Sequence, residues 1–489
     1  MERVKIENIS LKSRVVNAVL WLGITKLLGQ VLSWVITIYV VRILAPEDYG
    51  LMGMAGVFIG FVILFNELGL GSAIIHKKKL AEDDISNIFW LVFLLNVALY
   101  LLSFFLLSPL IAGFFNEPRL IAIIRVIAIN MIISSFGFIS YNMLTKDLIF
   151  SRRSQAEFIG NLSGGIATFL FAMNGFGVWS LVYGSIILTA VTNLLFYIYY
   201  PWRPGFSFSF SKIKEMFNFG LKVAIARFLW YVYTNSDSLM AGKLLGKTAL
   251  GYYSLAFQFA SIPLDKIVSL VTQIAFPAFS EIQDDAERLK SYFVKIIRFI
   301  AFITFPLFCG IFLVADDAVI LFLTEKWRPI IIPLKVLCIV STLRAVNAMN
   351  IPLALAKGRG NIAIFSNLLF ATALPLGFYI GSFYGLDGFA YSWLIVFPFL
   401  FAALTVITLN IINLSIAEYS KAIMHPATAT VLMVVSVLLL KEFALRDVNK
   451  IISILGTMTL SVSAYFIYFL LFNSEILSEI KTIFRRQTQ

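Results

Sequence analysis

Two stripes of polar side chains, about two hundred residues apart, mark where this sequence could do chemistry. Lys26, Gln30, Ser33 and Thr37 stand at i, i+4, i+7 and i+11 in an otherwise apolar stretch, the spacing that keeps side chains on one helical face. Adding 201 gives Arg227, Tyr231, Thr234 and Ser238, a second stripe of the same spacing that again carries one base. Further bases lie within apolar runs: Arg125, Lys222, Lys266, Lys295, Arg298, Lys335 and Arg344. A base at the centre of a membrane helix costs at least ~2.5 kcal/mol on insertion scales, so each is expected to face protein, water or a bound anion. Acids at comparable depth are fewer, namely Glu67, Asp237 and Asp265, and this imbalance favours an anionic ligand. Lys26, Arg227 and Arg344 sit nearest mid-depth and are the candidates for a cavity. Structural readings stand beside these. A single stripe also fits helix-to-helix hydrogen bonding, and Lys222, Lys295 and Arg298 begin close enough to one face to snorkel. Arg125 and Lys335 fit either role, and Asp265 with Lys266 can partly neutralise their surroundings. A buried carboxylate can carry a proton or hold sodium, which makes Glu67, Asp237 and Asp265 candidates for ion coupling, with ion pairing an equal alternative.

Catalytic and cofactor chemistry finds little support. Cys309 and Cys338 fall inside apolar runs and offer neither a disulfide framework nor a metal-site spacing, so we read them as packing residues and expect no metal. His76 abuts the triplet Lys77–Lys79, and His425 lies near the start of a late apolar run; lone histidines of this kind are usually structural. No Walker A loop is present, which argues against a self-contained ATP-driven pump, and no catalytic residues or cofactor are expected. The net charge of +12 would suggest nucleic acid for a soluble domain, but topology accounts for it here.

The elements that must position these residues are helices in lipid. Of 489 residues 60% are apolar and 13% charged, against roughly 25% charged in soluble domains. The apolar runs are long enough to cross a ~30 Å hydrocarbon core. They lack the alternation of barrel strands, so the fold class is an all-α integral membrane protein. Fourteen helices are expected, near 14–43, 50–75, 86–112, 119–143, 155–174, 178–200, 214–238, 251–279, 290–315, 328–355, 360–382, 387–413, 422–440 and 450–472. No removable signal peptide is expected. With both termini on one side, that side holds 21 of the 39 basic residues and the other nine, the rest lying within helices. Both termini are therefore expected to be cytoplasmic.

The chain also repeats itself weakly. RILAPEDYGLM from Arg42 matches KLLGKTALGYY from Lys243 at an offset of 201. Arg153 and Asn161 match Arg359 and Asn367 at 206, and Gly177, Ser180 and Tyr183 match Gly385, Gly388 and Tyr391 at 208. We expect two pseudo-symmetric six-helix lobes, 1–200 and 220–413 with helix 7 beginning near 214. A linker at 201–219 joins them, and an extra helix pair with a tail occupies 414–489. The linker PGFSFSFSKIKEMF fits an aromatic anchor at headgroup depth or an interfacial strip that slides as the lobes rock. GxxxG spacings at Gly56/Gly60, Gly160/Gly164 and Gly381/Gly385 fit close helix packing better than hinges.

Three ordered stretches, RPGFSFS (Arg203 to Ser209), FPAFSEIQDDAERL (Phe276 to Leu289) and EKWRPIIIPLKVLCIVSTLRA (Glu325 to Ala345), resemble the bacterial polysaccharide flippases of the colanic-acid-exporter and O-antigen type. These belong to the multidrug/oligosaccharidyl-lipid/polysaccharide exporter superfamily. The likeness runs from about Ser10 to Tyr419 and is weakest in the last helix pair. It implies a carrier that turns polyprenyl-diphosphate-linked oligosaccharide repeat units across the bacterial cytoplasmic membrane by alternating access, for exopolysaccharide, capsule or O-antigen synthesis. It further implies a central cavity lined largely by the first two helices of each lobe. The stripe cations would then engage the diphosphate and the hydroxyls and amide the sugars. Implied partners are the lipid-linked oligosaccharide, membrane lipids, a coupling proton or sodium, and a polysaccharide polymerase or glycosyltransferase complex. A peptidoglycan-precursor flippase, a multidrug or cation exporter and a membrane glycan polymerase are the alternatives. The basic interior speaks against the exporter, and connections of about a dozen residues at most speak against the polymerase.

Overall fold

The computed structural model describes residues 32–66, 71, 74, 82–205, 210–444 and 448–472, with side chains left out at 63–66 and 210–230. Among the described residues there is no strand. Helices α1 (Leu32–Ile43), α2 (Pro46–Asn66), α3 (Glu82–Phe115), α4 (Arg119–Lys146), α5 (Phe150–Met173) and α6 (Val178–Tyr199) come first. A long run, Phe210–Pro263, is broken at Gly246, whose φ of 82° and ψ of −179° leave the helical region. We call the part before the break α7 and the part after it α8, which continues through a π turn to Glu281. Then follow α9 (Ala286–Leu323), α10 (Glu325–Ala356), α11 (Gly360–Ser382), α12 (Gly385–Ile411), α13 (Ile416–Phe443) and α14 (Lys450–Phe472). Eleven helical runs among the described residues are long and apolar enough to cross a membrane.

Several helices extend beyond the stretches expected from hydropathy. α2 starts at Pro46 with Glu47 and Asp48 in its first turn, and α3 starts with Glu82, Asp83 and Asp84. Acids at an N-terminus complement the helix dipole, so the helix continues into the headgroup layer after apolar character has ended. Local caps set other ends: the Asp285 side chain accepts from the Arg288 N–H at 3.0 Å, and Ser415 and Glu418 form a capping box before α13.

The chain divides into two compact units, Met1–Phe228 and Leu229–Gln489, a division that falls within α7. In the first unit α5 packs tightly on α6. A Cβ on Gly164 would stand 2.9 Å from the Gly184 carbonyl oxygen, and one on Gly184 would stand 3.0 Å from that of Gly164. The Gly160/Gly164 spacing thus serves close packing. Gly56 differs, since a Cβ there would meet nothing within 4 Å, and Gly381 approaches Gly388 rather than Gly385. The segment after α6 is tied to this unit: Trp90 Nε1 donates to the Gly205 carbonyl at 2.8 Å, the Gly205 N–H donates to Ser86 at 2.9 Å, and Ser140 donates to the Tyr200 carbonyl at 2.9 Å.

In the second unit α13 and α14 pack on α9 through Phe302, Leu313, Met433, Val437, Tyr465 and Phe469. Polar contacts fix the pair. Tyr465 donates to the Phe302 carbonyl at 2.8 Å, while Asp317 accepts from Lys441 at 3.1 Å and from Ser453 at 2.8 Å.

Turn geometry relates the two units more sharply than residue identity does. Ala45 precedes α2, and Gly246, 201 residues later, precedes the rest of α8. Gly177 (φ 55°) and Gly385 (φ 71°), at an offset of 208, open α6 and α12. The expected match of Arg153 with Arg359 at 206 is one helical turn out of register. In unit 1 the N–H groups of Asp147, Leu148 and Ile149 donate to Met143, Thr145 and Leu144. In unit 2 those of Lys357, Gly358 and Arg359 donate to Leu353, Leu355 and Ala354, an offset of 210 throughout. Leu148 (φ 57°) and Gly358 (φ 69°) occupy the same left-handed position. Arg359 therefore corresponds to Ile149. Four residues is close to one turn, so both registers place a base on the same face of α5 and α11, and residue types alone do not separate them.

Candidate functional site

The most developed polar site among the described residues is buried in the second unit. Asp237 on α7 is 3% exposed, Tyr253 on α8 is 0% and Trp393 on α12 is 5%. The Tyr253 hydroxyl donates to Asp237 Oδ2 at 2.7 Å, the Ser238 N–H donates to Oδ1 at 2.6 Å, and Trp393 Nε1 donates to the Tyr253 oxygen at 2.8 Å. The carboxylate thus sits at the end of an indole–phenol–carboxylate chain. Arg344 on α10 completes the group: its guanidinium carbon lies 5.0 Å from the Phe257 ring centroid and 5.3 Å from that of Trp393, and its charge acts on Asp237. Arg344 Nη1 is buried without a hydrogen-bond partner, as are the hydroxyls of Ser341 and Ser261. Ser341 lies one turn from Arg344 on α10, and Ser261 one turn from Phe257 on α8.

Local sequence explains the assembly. The Gly246 break folds α8 back beside α7, and Asp237 and Tyr253 lie nine residues before and seven after it. At 1.5 Å per residue both sit roughly 10–14 Å from the turn, at matching depth. Tyr253 and Phe257 share a face of α8, and Phe389, Phe378 and Phe397 pack around them and Trp393. These aromatic rings make the surroundings of the carboxylate and the guanidinium largely apolar. The arrangement can bind or release one charge and presents an unmatched donor for an anion, but it holds no nucleophile poised beside a base. No group of three or more metal-ligating side chains occurs among the described residues.

Of the residues singled out from sequence, the structure brings Asp237 and Arg344 together. Asp265 is apart from them, exposed with Lys266 on the π turn Leu264–Val268. Lys26, Gln30 and Glu67 lie outside the described residues, as do the side chains of Lys222 and Arg227. In the rest of the stripes Ser33 is exposed and Thr37 half-buried, with the Thr37 hydroxyl donating to the Ser33 carbonyl at 2.8 Å. Tyr231, Thr234 and Ser238 are half-buried, and Thr234 donates to the Tyr231 carbonyl at 3.2 Å. α7 therefore turns Asp237 into the unit core while Ser238, about 100° around the helix, is less buried.

Two bases have structural roles. Arg125 donates to the Phe104 carbonyl at 3.0 Å and lies over the Phe104 ring at 4.4 Å. The π turn Ser103–Leu107 disturbs the regular ladder there, and Arg125 bonds the backbone at that place. Lys335 pairs with Asp316 at 2.6 Å. Lys295 is exposed and Arg298 half-buried, roughly two and a half and three and a third turns from the start of α9. Sequence reasoning missed Tyr253 and Trp393; the depth match across Gly246 is the signal that points to Tyr253, whereas nothing local points to Trp393.

Known proteins place this architecture. The chain is 29% identical over 381 residues to the teichuronic acid biosynthesis protein TuaB of Bacillus subtilis (strain 168), covering 76% of this chain and 78% of that protein. It is 28% identical over 393 residues to the lipopolysaccharide biosynthesis protein WzxC of Escherichia coli (strain K12), covering 79% of each. Among solved structures the lipid II flippase MurJ in an inward closed conformation matches with a TM-score of 0.73 at 15% identity, over 94% of this chain and 100% of that chain. An inward-facing multidrug resistance transporter of the MATE family and MOP superfamily matches at 0.61 and 18% identity, over 79% and 96%. At such identities the likeness is one of fold, that of the MOP-superfamily transporters. The family described as "Polysaccharide biosynthesis protein" matches residues 39–332, more than half of the sequence, and the chain belongs to that family.

Proposed function

We propose that this multi-pass membrane protein is a flippase that carries polyprenyl-diphosphate-linked oligosaccharide repeat units across the bacterial cytoplasmic membrane, supplying exopolysaccharide, capsule or O-antigen synthesis. The observation that carries this reading is the match to the polysaccharide biosynthesis proteins TuaB and WzxC over 76% and 79% of the chain, on a transporter fold. It acts as a carrier and not as an enzyme. The stripe cations Lys26 and Arg227 engage the diphosphate as point charge and planar fork, with Gln30, Ser33, Thr37, Tyr231, Thr234 and Ser238 meeting sugar hydroxyls. Arg344 offers a further donor. Asp237 is the coupling carboxylate: Tyr253 donates to it at 2.7 Å, and an arriving anion that engages Arg344 changes the electrostatic balance at Asp237. Both termini are cytoplasmic, on the side with 21 bases. Deleting the gene tests the reading. The lipid-linked repeat unit should accumulate in the inner leaflet with its synthesis intact; loss of the unit itself would place the protein in synthesis instead.

A further inference from the structure

In the second unit an open hollow of about 280 Å³ is lined by Arg359, Asn361, Ile362, Ile407, Asn410 and Ile411. It lies where α11 begins and α12 ends, at the edge of two membrane-crossing helices and hence at headgroup depth.

At the corresponding place in the first unit, side chains of α5 and α6 pack across. By the turn register of 210, Ile149 corresponds to Arg359 and Arg152 to Ile362; by the 208 offset of Gly177 and Gly385, Tyr199 corresponds to Ile407. There Arg152 donates to the Tyr199 carbonyl at 3.3 Å, its guanidinium carbon lies 5.8 Å from the Tyr199 ring, and Ile149 packs with Tyr199 on Leu144, Ala156 and Phe196. The second unit replaces this plug with two isoleucines and puts a guanidinium beside the opened space. The neighbouring base Lys357 is engaged elsewhere, donating to the Gln283 carbonyl at 2.9 Å. Arg359 forms no ion pair among the described residues.

We propose that this hollow binds the phosphodiester of an anionic glycerophospholipid resident in the membrane, separate from the transported cargo. Arg359 takes two phosphate oxygens in its planar fork, Asn361 and Asn410 bond the headgroup and glycerol oxygens, and Ile362, Ile407 and Ile411 cover the first acyl carbons. One base, two amides and three aliphatic side chains fit a group that is anionic at one end and oily at the other. A free hydrated phosphate would leave the isoleucines without a role.

The test is native mass spectrometry of the purified full chain in detergent, offered phosphatidylglycerol or phosphatidylcholine with the same acyl chains. Wild type should retain phosphatidylglycerol in preference to phosphatidylcholine, and Arg359→Gln should lower its occupancy roughly tenfold. Ile407→Tyr restores the plug of the first unit while keeping the arginine, and it should lower occupancy to a similar degree. Should either variant be unstable, Asn410→Leu serves in its place with the same expectation. Equal retention of the two lipids, or unchanged phosphatidylglycerol in well-folded variants, would overturn the proposal. So would displacement of the lipid by millimolar inorganic phosphate, which would mark a free-anion site.

Discussion

Replacing Tyr253 by Phe removes one oxygen from the centre of the buried chain and nothing else. The ring keeps its contacts with Phe257 and Phe389, so packing is conserved. Two hydrogen bonds vanish: the 2.7 Å donation to Asp237 and the 2.8 Å donation from Trp393. A hydrogen bond contributes about 1 kcal/mol, and here each lost bond also strands a buried partner at a cost of about 1–3 kcal/mol. The expected destabilisation is about 3 kcal/mol, roughly two decades in the folding equilibrium. Trp393→Phe, which deletes only the outer bond, should cost about 1 kcal/mol beyond its packing loss. The double variant should be less destabilised than the sum, because both changes break the same chain. Unfolding of purified protein in detergent micelles, followed by denaturant titration, measures all three. A Tyr253→Phe protein within about 0.5 kcal/mol of wild type, or fully additive single variants, would refute the idea that the hydroxyl couples Trp393 to Asp237.

Gly164→Ile should lower the thermal midpoint strongly, by overpacking of about 1–3 kcal/mol or more against the Gly184 carbonyl, whereas Gly56→Ala should be neutral or mildly stabilising because its Cβ meets open space; equal effects in a melting assay would contradict the α5–α6 contact. Reporter fusions after Lys79 and after Asn174 should report opposite sides of the membrane, and identical locations would break the topology. Lys26→Ala or Arg227→Ala should abolish export at normal abundance, with Arg227→Lys tolerated better than Arg227→Glu. Normal export by a stably expressed double alanine variant would rule out the paired cations.

Hydropathy made the membrane class and most helices legible, because lipid imposes its demand on every residue of a crossing segment. It misplaced ends such as Pro46 and Glu82, where polar residues continue a helix above the hydrocarbon. The repeat was visible at Gly177 and Gly385, where positive φ requires glycine, yet misregistered at Arg153, where backbone geometry is shared but side chains are not. Asp237 and Arg344 stood out singly as charges in apolar runs. Their meeting with Tyr253 and Trp393 depends on α7, α8, α10 and α12 packing together, and Trp393 lies 140 residues from Tyr253. Arg125 stood in an apolar run as Arg344 did and fitted either a ligand or a structural role; the π turn at Phe104, which no local pattern announces, shows that the backbone is its partner.

The central claim, that this protein turns a lipid-linked oligosaccharide across a bilayer, is tested most directly by reconstitution. Purified protein in sealed vesicles carrying a polyprenyl-diphosphate-linked repeat unit extracted from the native membrane would be probed with a lectin or glycosidase added outside. Substrate initially confined to the inner leaflet should become accessible at a rate set by protein content, and slowly in Lys26→Ala/Arg227→Ala vesicles. Accessibility no faster than in protein-free vesicles, or lengthening of the glycan with no other protein present, would contradict it.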